Sequence, residues 1–245
     1  MQFNIVTLFP EMFAAMNYGV VGRAKETGLI DIRCFNPRDY TEDNYHKVDD
    51  TSYGGGPGMV MMVKPLQAAI QGARENSKSF ASIVYLTPQG KLLNHDLVKE
   101  LSVQENLILI SGRYEGIDER LLKIEPGIEL SIGDYVLSGG ELASMVLIDT
   151  VTRQLPGVVG DAGSVAQDSF SAGLLDYPHY TRPEVINDLK VPDVLLSGNH
   201  AEIARFRRKQ ALGRTWLRRP ELLAKIELTA IDRMLLNEFI EETSS

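Results

Sequence analysis

The stretch Asn106-Leu107-Ile108-Leu109-Ile110-Ser111-Gly112-Arg113-Tyr114-Glu115-Gly116 sets the architecture. Asn106 to Ile110 is an apolar run of buried-strand length, and the chain leaves it through a loop punctuated by two glycines. Working outward, Gln2 to Leu8 alternates as a strand, Leu29 to Phe35 reads as another, and Phe80 to Leu86 is a second apolar run of strand length. Helical spacing of apolar residues fills Lys64 to Asn76, Asn94 to Gln104 and Gly140 to Leu155. Strands alternating with helices predict an α/β layer architecture with parallel strands. Residues 155 to 172 break the pattern: they are rich in Gly, Ser, Ala and Asp, with weak periodicity. The expected organisation is therefore an α/β domain over 1–155, a flexible linker over 156–172 and a small α-helical domain over 173–245, with no convincing strand in the last.

The composition of the 245 residues, 44% hydrophobic and 24% charged, is that of a globular protein and excludes wholesale disorder. The N-terminus enters a strand without a basic segment or a long greasy stretch, so neither a signal peptide nor a membrane span is expected, and a cytoplasmic location follows. The single cysteine, Cys34, reads as a structural thiol. Net charge is −8, yet Arg205 to Arg219 holds seven cations and no acid, so the rest of the chain carries −15. One concentrated cationic element on an acidic body suits a local polyanion contact. Within it Arg205, Arg208 and Lys209 share a helical face, and Arg214, Arg218 and Arg219 surround the only tryptophan, Trp216. Phosphate contact with stacking is one reading of this element, and a solvated helix surface is the other.

Neither a dinucleotide fingerprint nor a Walker phosphate loop occurs, which removes ordinary NAD enzymes and P-loop NTPases. Three glycine loops stand in their place: Tyr53 to Met59 (YGGGPGM), Ser111 to Gly116 (SGRYEG) and Ser131 to Glu141 (SIGDYVLSGGE). Each alone reads as a turn, but two follow strands at the position where open α/β sheets bind ligands.

Six segments, in order, carry a family resemblance: DTSYGGGPGM (Asp50–Met59), YLTPQG (Tyr85–Gly90), GRYEGID (Gly112–Asp118), SIGDYVLSGGE (Ser131–Glu141), DSFSAGLLDYPHYTRP (Asp168–Pro183) and VPDVLLSGNH (Val191–His200). The chain resembles the TrmD family of bacterial tRNA (guanine-N1)-methyltransferases, in the SPOUT superfamily, from Phe3 to about Leu223. The resemblance implies a deep trefoil knot in the α/β domain and methyl transfer from S-adenosyl-methionine to N1 of guanosine at position 37 of tRNA, next to the anticodon. It implies a cofactor pocket made by Tyr85, Leu86, Pro88, Gly112, Tyr114, Glu115, Ser131, Ile132, Gly133, Asp134, Tyr135, Val136, Leu137, Gly139 and Gly140. It further implies Asp168 as general base, Arg153 as stabiliser of the purine oxygen, Asp176 and His179 near the target base or the cofactor, and a homodimer with the active site at the subunit interface. Magnesium, acting through oxygen ligands and the substrate, is implied as well. The sequence departs from the family pattern at Thr87, where serine is common, at Thr51-Ser52, where Arg-Pro is common, and at Phe206, where tryptophan is usual.

The residue types agree with that chemistry. Methylating a ring N–H needs a base for the proton and a cation for charge developing on the purine oxygen. An adenine slot needs apolar side chains and a few backbone donors and acceptors, which Leu86, Ile132, Val136 and Leu137 with glycine-loop amides supply. Each candidate also has a plain structural reading. Asp168 begins a turn, Arg153 complements a helix C-terminus, Glu115 is a solvated carboxylate, and His179, which with Tyr177 and Tyr180 could form a stacking platform, is a satisfied interdomain histidine. His46, His95 and His200 are scattered, so spacing builds no zinc site. Two rival functions remain at this stage. One keeps the superfamily fold with a different target nucleoside, and the other is a non-catalytic RNA-binding or nucleotide-sensing protein using the basic helix and Gly54 to Gly58 as an anion nest.

Overall fold

The computed structural model describes residues 1–160 and 168–244. They fall into two compact units, Met1–Gly160 and Asp161–Ser245.

In the first unit the strands β1 (Gln2–Val6), β2 (Asp31–Phe35), β5 (Ser82–Leu92), β6 (Asn106–Ser111) and β7 (Ile128–Ser131) form one parallel sheet in the order β2-β1-β6-β5-β7. A small antiparallel pair, β3 (Asp49–Asp50) with β4 (Val60–Met61), carries the first glycine loop. Helices α1 (Gly19–Glu26), α2 (Val63–Asn76), α3 (His95–Ser102), α4 (Glu119–Ile124) and α5 (Glu141–Thr152) cover the sheet. The continuous apolar character of the central strands follows from burial on both faces. Phe3, Ile5, Leu107 and Leu109 point to a core shared with Val21, Leu97, Leu101, Leu147, Ile148 and Val151. Ile108 and Ile110, one residue out of phase, point to a core shared with Leu66, Ala69, Ile70, Ala73 and Leu121. α3 begins where expected because the Asn94 side chain caps it, accepting from Leu97 N at 2.9 Å. Cys34 is half-buried, and desolvation pushes its thiol up to about 11, which suits a structural thiol rather than a nucleophile.

The structure departs from the expected boundaries at β5. The strand expected to end at Leu86 continues to Leu92, its pairing with β7 shifting register between Leu86 and Lys91. A bulge is where a strand accommodates Pro88 and Gly90. Gly90 is required there, since a Cβ would lie 2.3 Å from the Leu130 amide nitrogen. Pro156 to Gly160, read as the start of the linker, places Val158 in the core. The centre of the proposed linker, residues 161–167, lies outside the described residues.

The second unit contains α6 (Asp193–Leu196), α7 (His200–Arg218), α8 (Pro220–Leu223) and α9 (Ala230–Ser244). It also holds a hairpin, β8 (Val185–Ile186) with β9 (Leu189–Lys190), where sequence reading expected no strand. The turn explains it: Asn187 and Asp188 both have positive φ, 47° and 63°, as a two-residue hairpin turn requires. α7 and α9 pack through Leu212 and Leu235, and Gly213 faces the Phe239 ring so closely that a Cβ would sit 2.2 Å from it.

Ion pairs lock the same interface: Arg205 to Glu238 at 2.5 Å, Arg208 to Asp232 at 2.7 Å, and Lys209 to Glu242 at 2.7 Å. The Asp232 carboxylate also accepts from Thr229 N and Oγ1. Hydrogen bonding from Arg208 outweighs burial and holds its carboxyl down at about 2. A depressed carboxyl stabilises above its unfolded value near 4 and loses that contribution as pH falls through the folded value. An acid titration followed by circular dichroism should therefore show the α7–α9 pair loosening between about pH 4 and pH 2. Asp232→Asn should lower the melting temperature at pH 7 and flatten that acid step. An unchanged acid profile in the variant would remove Asp232 as its source.

Candidate functional site

The bulge of β5 and the ends of β6 and β7 converge on a cleft of about 350 Å³, within the range of roughly 300–1,000 Å³ typical of ligand sites. Tyr85, Leu86 and Pro88 line it from β5, Gly112, Tyr114 and Glu115 from the loop after β6, and Ser131, Ile132, Gly133, Tyr135, Val136, Leu137, Gly139 and Gly140 from the loop after β7. Asp134 is exposed and stands outside the lining. Arg113, Gly116, Ile117, Leu130 and Ser138 also line the cleft, without having been assigned a role from sequence.

The walls are set largely by backbone. Gly140 N donates to Gly112 O at 2.8 Å, so the start of α5 is held against the exit of β6. Ser131 Oγ accepts from Gly133 N at 3.2 Å and turns the loop after β7. Tyr85 contributes less than its position suggests: its hydroxyl donates to Glu125 O at 2.7 Å, and burial, with the Glu125 carboxylate, pushes the phenol upward, so it stays neutral. The first glycine loop reaches the site through Gly58, where a Cβ would fall 2.4 Å from a Glu115 carboxylate oxygen. Glu115 itself is exposed, and its amide donates to Met59 O at 2.9 Å.

Beneath the cleft lies a buried ion pair that sequence reading missed. Arg113 Nε stands 2.8 Å from Glu141 Oε2, with the glutamate side chain fully buried. Thr7 Oγ1 donates to Glu141 Oε1 at 2.9 Å, Arg113 Nη1 donates to Ser138 O at 3.1 Å, and the guanidinium lies 4.5 Å from the Phe9 ring centroid. Both residues sat inside recognised motifs, but partners 28 residues apart in sequence give no local signal. The pair ties the exits of β1 and β6 to the first turn of α5. Removing one partner of a buried pair costs roughly 3–5 kcal/mol because it strands the other charge. Glu141→Ala should therefore lower the melting temperature by several degrees, as read by calorimetry. A melting temperature equal to wild type would show the pair to be dispensable.

In the second unit Asp168, Asp176, Tyr177, Arg207 and Arg208 line a hollow of about 200 Å³. Asp176 is held by Ser169 Oγ, which accepts from its amide at 3.0 Å, and its carboxylate lies 2.7 Å from His179 Nε2. The Tyr177 and His179 rings stand 4.8 Å apart, and Arg207 lies over the Tyr177 ring at 4.9 Å, while Tyr180 is exposed. Arg153 closes α5 in the first unit, half-buried, its amide donating to Asp149 O at 3.1 Å. Of the cations expected on RNA, Arg205, Arg208 and Lys209 are the three paired with α9, whereas Arg214 is half-buried on another face of α7. Among the described residues no helix is long and apolar enough to cross a membrane.

A parallel sheet with helices on both faces and a ligand-sized cleft walled by glycine loops at its strand ends defines an α/β ligand-binding protein. The family model for tRNA (guanine-1)-methyltransferase TrmD matches residues 1–225. A tRNA (guanine-N(1)-)-methyltransferase of Nitrosospira multiformis is 60% identical, the match covering 97% of this chain and 96% of the relative. Proteins of the same name from Photorhabdus laumondii and Pseudomonas entomophila are 58% and 56% identical, each match covering 99% of this chain and 97% of the relative. The chain belongs to the TrmD family of tRNA (guanine-1)-methyltransferases, and is thereby an enzyme.

Proposed function

We propose that the protein transfers a methyl group from S-adenosyl-methionine to N1 of guanosine at position 37 of tRNA, next to the anticodon. The observation that carries this reading is the glycine-walled cleft at the bulge of β5 and the ends of β6 and β7 in a chain of this family. Its residues suit the donor: Leu86, Ile132 and Leu137 offer an apolar slot, glycine-loop amides and carbonyls offer hydrogen bonds, and Glu115 offers a carboxylate for an ammonium group. When bound, the donor supplies a sulfonium-activated methyl. Asp168 takes the N1 proton as the ring nitrogen attacks, and Arg153 offsets the charge developing on the purine oxygen. Asp176 and His179 hold the extruded base beside Tyr177, whose ring is a stacking surface. The magnesium implied by the resemblance finds no cluster of three His, Cys, Asp or Glu side chains among the described residues, and no step is assigned to it.

The knot of the superfamily belongs to the same reading. It is consistent with the close approach of backbone segments here, where β5 resumes its pairing with β7 at Lys91 and Leu92 after the bulge and α5 starts against Gly112. The active site forms at the interface of a homodimer, with the cofactor held by one subunit and Asp168 supplied by the other. Exposed Leu142 and Val146, one turn apart on α5, and exposed Val136 in the adjoining loop give a second copy an apolar surface to cover. Two units, Met1–Gly160 and Asp161–Ser245, serve this reaction in a cytoplasmic enzyme. Incubation with unmodified tRNA and S-adenosyl-methionine, followed by nucleoside mass spectrometry, tests the assignment. N1-methylguanosine at position 37 is expected. A methyl on another nucleoside would keep the fold and change the target, and no added methyl would favour a non-catalytic RNA binder.

A further inference from the structure

α7 carries its cations as two opposed stripes. At 3.6 residues per turn, Arg205, Arg208 and Lys209 fall on the side that packs on α9, and each meets a carboxylate there. Arg207, Arg214 and Arg218 are seven and eleven residues apart, so they fall within about 40° of one another on the other side. Arg207 and Arg218 are exposed and Arg214 is half-buried. The stripe begins at the hollow of Asp168, which Arg207 lines while lying over Tyr177. It ends near Arg219, which lies 5.9 Å from the exposed Phe170 ring. Its length is about 16 Å, at 1.5 Å per residue. That matches on the order of five stacked nucleotides at roughly 3.4 Å per phosphate.

We propose that Arg207, Arg214 and Arg218 form a phosphate-tracking stripe that leads an RNA strand away from the Asp168 hollow, while Arg205, Arg208 and Lys209 hold α7 to α9. This rests on the tRNA reading above and names the surface that reading lacks. Charge decides between the two stripes. A cation already neutralised by a carboxylate at 2.5–2.7 Å must give up that partner to bind phosphate, whereas the opposite stripe engages phosphate without breaking the helix pair. Aromatic rings at both ends, Tyr177 and Phe170, add stacking surfaces for bases on the same track.

The test is tRNA binding by the full chain over a series of salt concentrations, comparing wild type, Arg214→Ala/Arg218→Ala and Arg205→Ala. Losing two phosphate contacts makes the slope of log K against log salt shallower by roughly 1.4 for single-stranded contacts. The double variant should show that change together with a tenfold or greater rise in KM for tRNA. Its kcat at saturating tRNA should stay within twofold of wild type, and so should its S-adenosyl-methionine affinity. Arg205→Ala should lower the melting temperature and keep the wild-type slope. If the alanine pair loses thermal stability, Arg214→Gln/Arg218→Gln must give the same slope change. A wild-type slope in either double variant, or the slope change appearing in Arg205→Ala instead, overturns the stripe while leaving the enzyme assignment standing. Wild-type protein that neither binds tRNA in a salt-dependent way nor methylates it would overturn the assignment itself.

Discussion

Replacing Asp168 with Asn is expected to leave S-adenosyl-methionine affinity within about twofold while kcat falls by roughly 10²- to 10⁴-fold, the contribution of a positioned base. The asparagine keeps the shape of the side chain but cannot accept the N1 proton, so only the chemical step suffers. Asp168 lines the hollow with Asp176, Tyr177, Arg207 and Arg208 in the second unit, and its proposed task is the N1 proton of the guanine rather than the donor. Donor affinity should therefore be indifferent to it. Single-turnover kinetics at saturating tRNA separates the two effects. Near wild-type turnover would remove Asp168 as base, and a parallel loss of donor affinity would recast it as a structural residue.

The second large effect is expected at Gly140. Its backbone is ordinary, with φ −77° at the N-cap of α5, so alanine introduces no backbone strain. The obstacle is steric: a Cβ would lie 2.8 Å from Ser111 Cα and 3.0 Å from the Gly112 amide nitrogen, both backbone atoms that cannot rotate away. Relief requires the first turn of α5 to lift off the exit of β6, which stretches the Gly140 to Gly112 hydrogen bond and spreads the cleft. Overpacking of this kind costs roughly 1–3 kcal/mol. Expressed in the wall of a binding site, that is a loss of about 10- to 100-fold in donor affinity. Gly140→Ala should thus bind S-adenosyl-methionine poorly while its KM for tRNA changes little. Wild-type donor affinity in this variant would show that the contact between α5 and β6 does not shape the site.

Much of the fold was legible because burial on both faces writes itself into a chain. Leu107, Ile108, Leu109 and Ile110 needed no partner to be read as a central strand. α2, α3 and α5 appeared within a few residues of their observed ends, because apolar spacing and the Asn94 cap are local signals. What escaped depended on distant partners. β5 runs past Leu86 because β7 pairs with it across a bulge, and Thr87-Pro88-Gln89-Gly90 viewed alone has the composition of a turn. The hairpin at Val185–Lys190 was hidden because each strand is two residues long, although Asn187-Asp188 was its one visible sign.

The candidate site shows the same division. The glycine loops could be read because glycine is placed where backbone approaches backbone, as at Gly90 and Gly140. Arg113 and Glu141 were visible as residues and invisible as a pair. The ion pairs of the basic helix were hidden for a related reason. Its most regular stripe, Arg205 with Arg208 and Lys209, is the one neutralised by Glu238, Asp232 and Glu242, which lie 24 to 33 residues further along.

Isothermal titration of the protein with S-adenosyl-methionine, and with its demethylated product, bears most directly on the cleft at the bulge of β5 and the ends of β6 and β7. Saturable binding of both ligands, weakened at least tenfold by Gly140→Ala and untouched by Asp168→Asn, is the predicted result. No measurable heat or affinity for either ligand in the wild-type protein would contradict it.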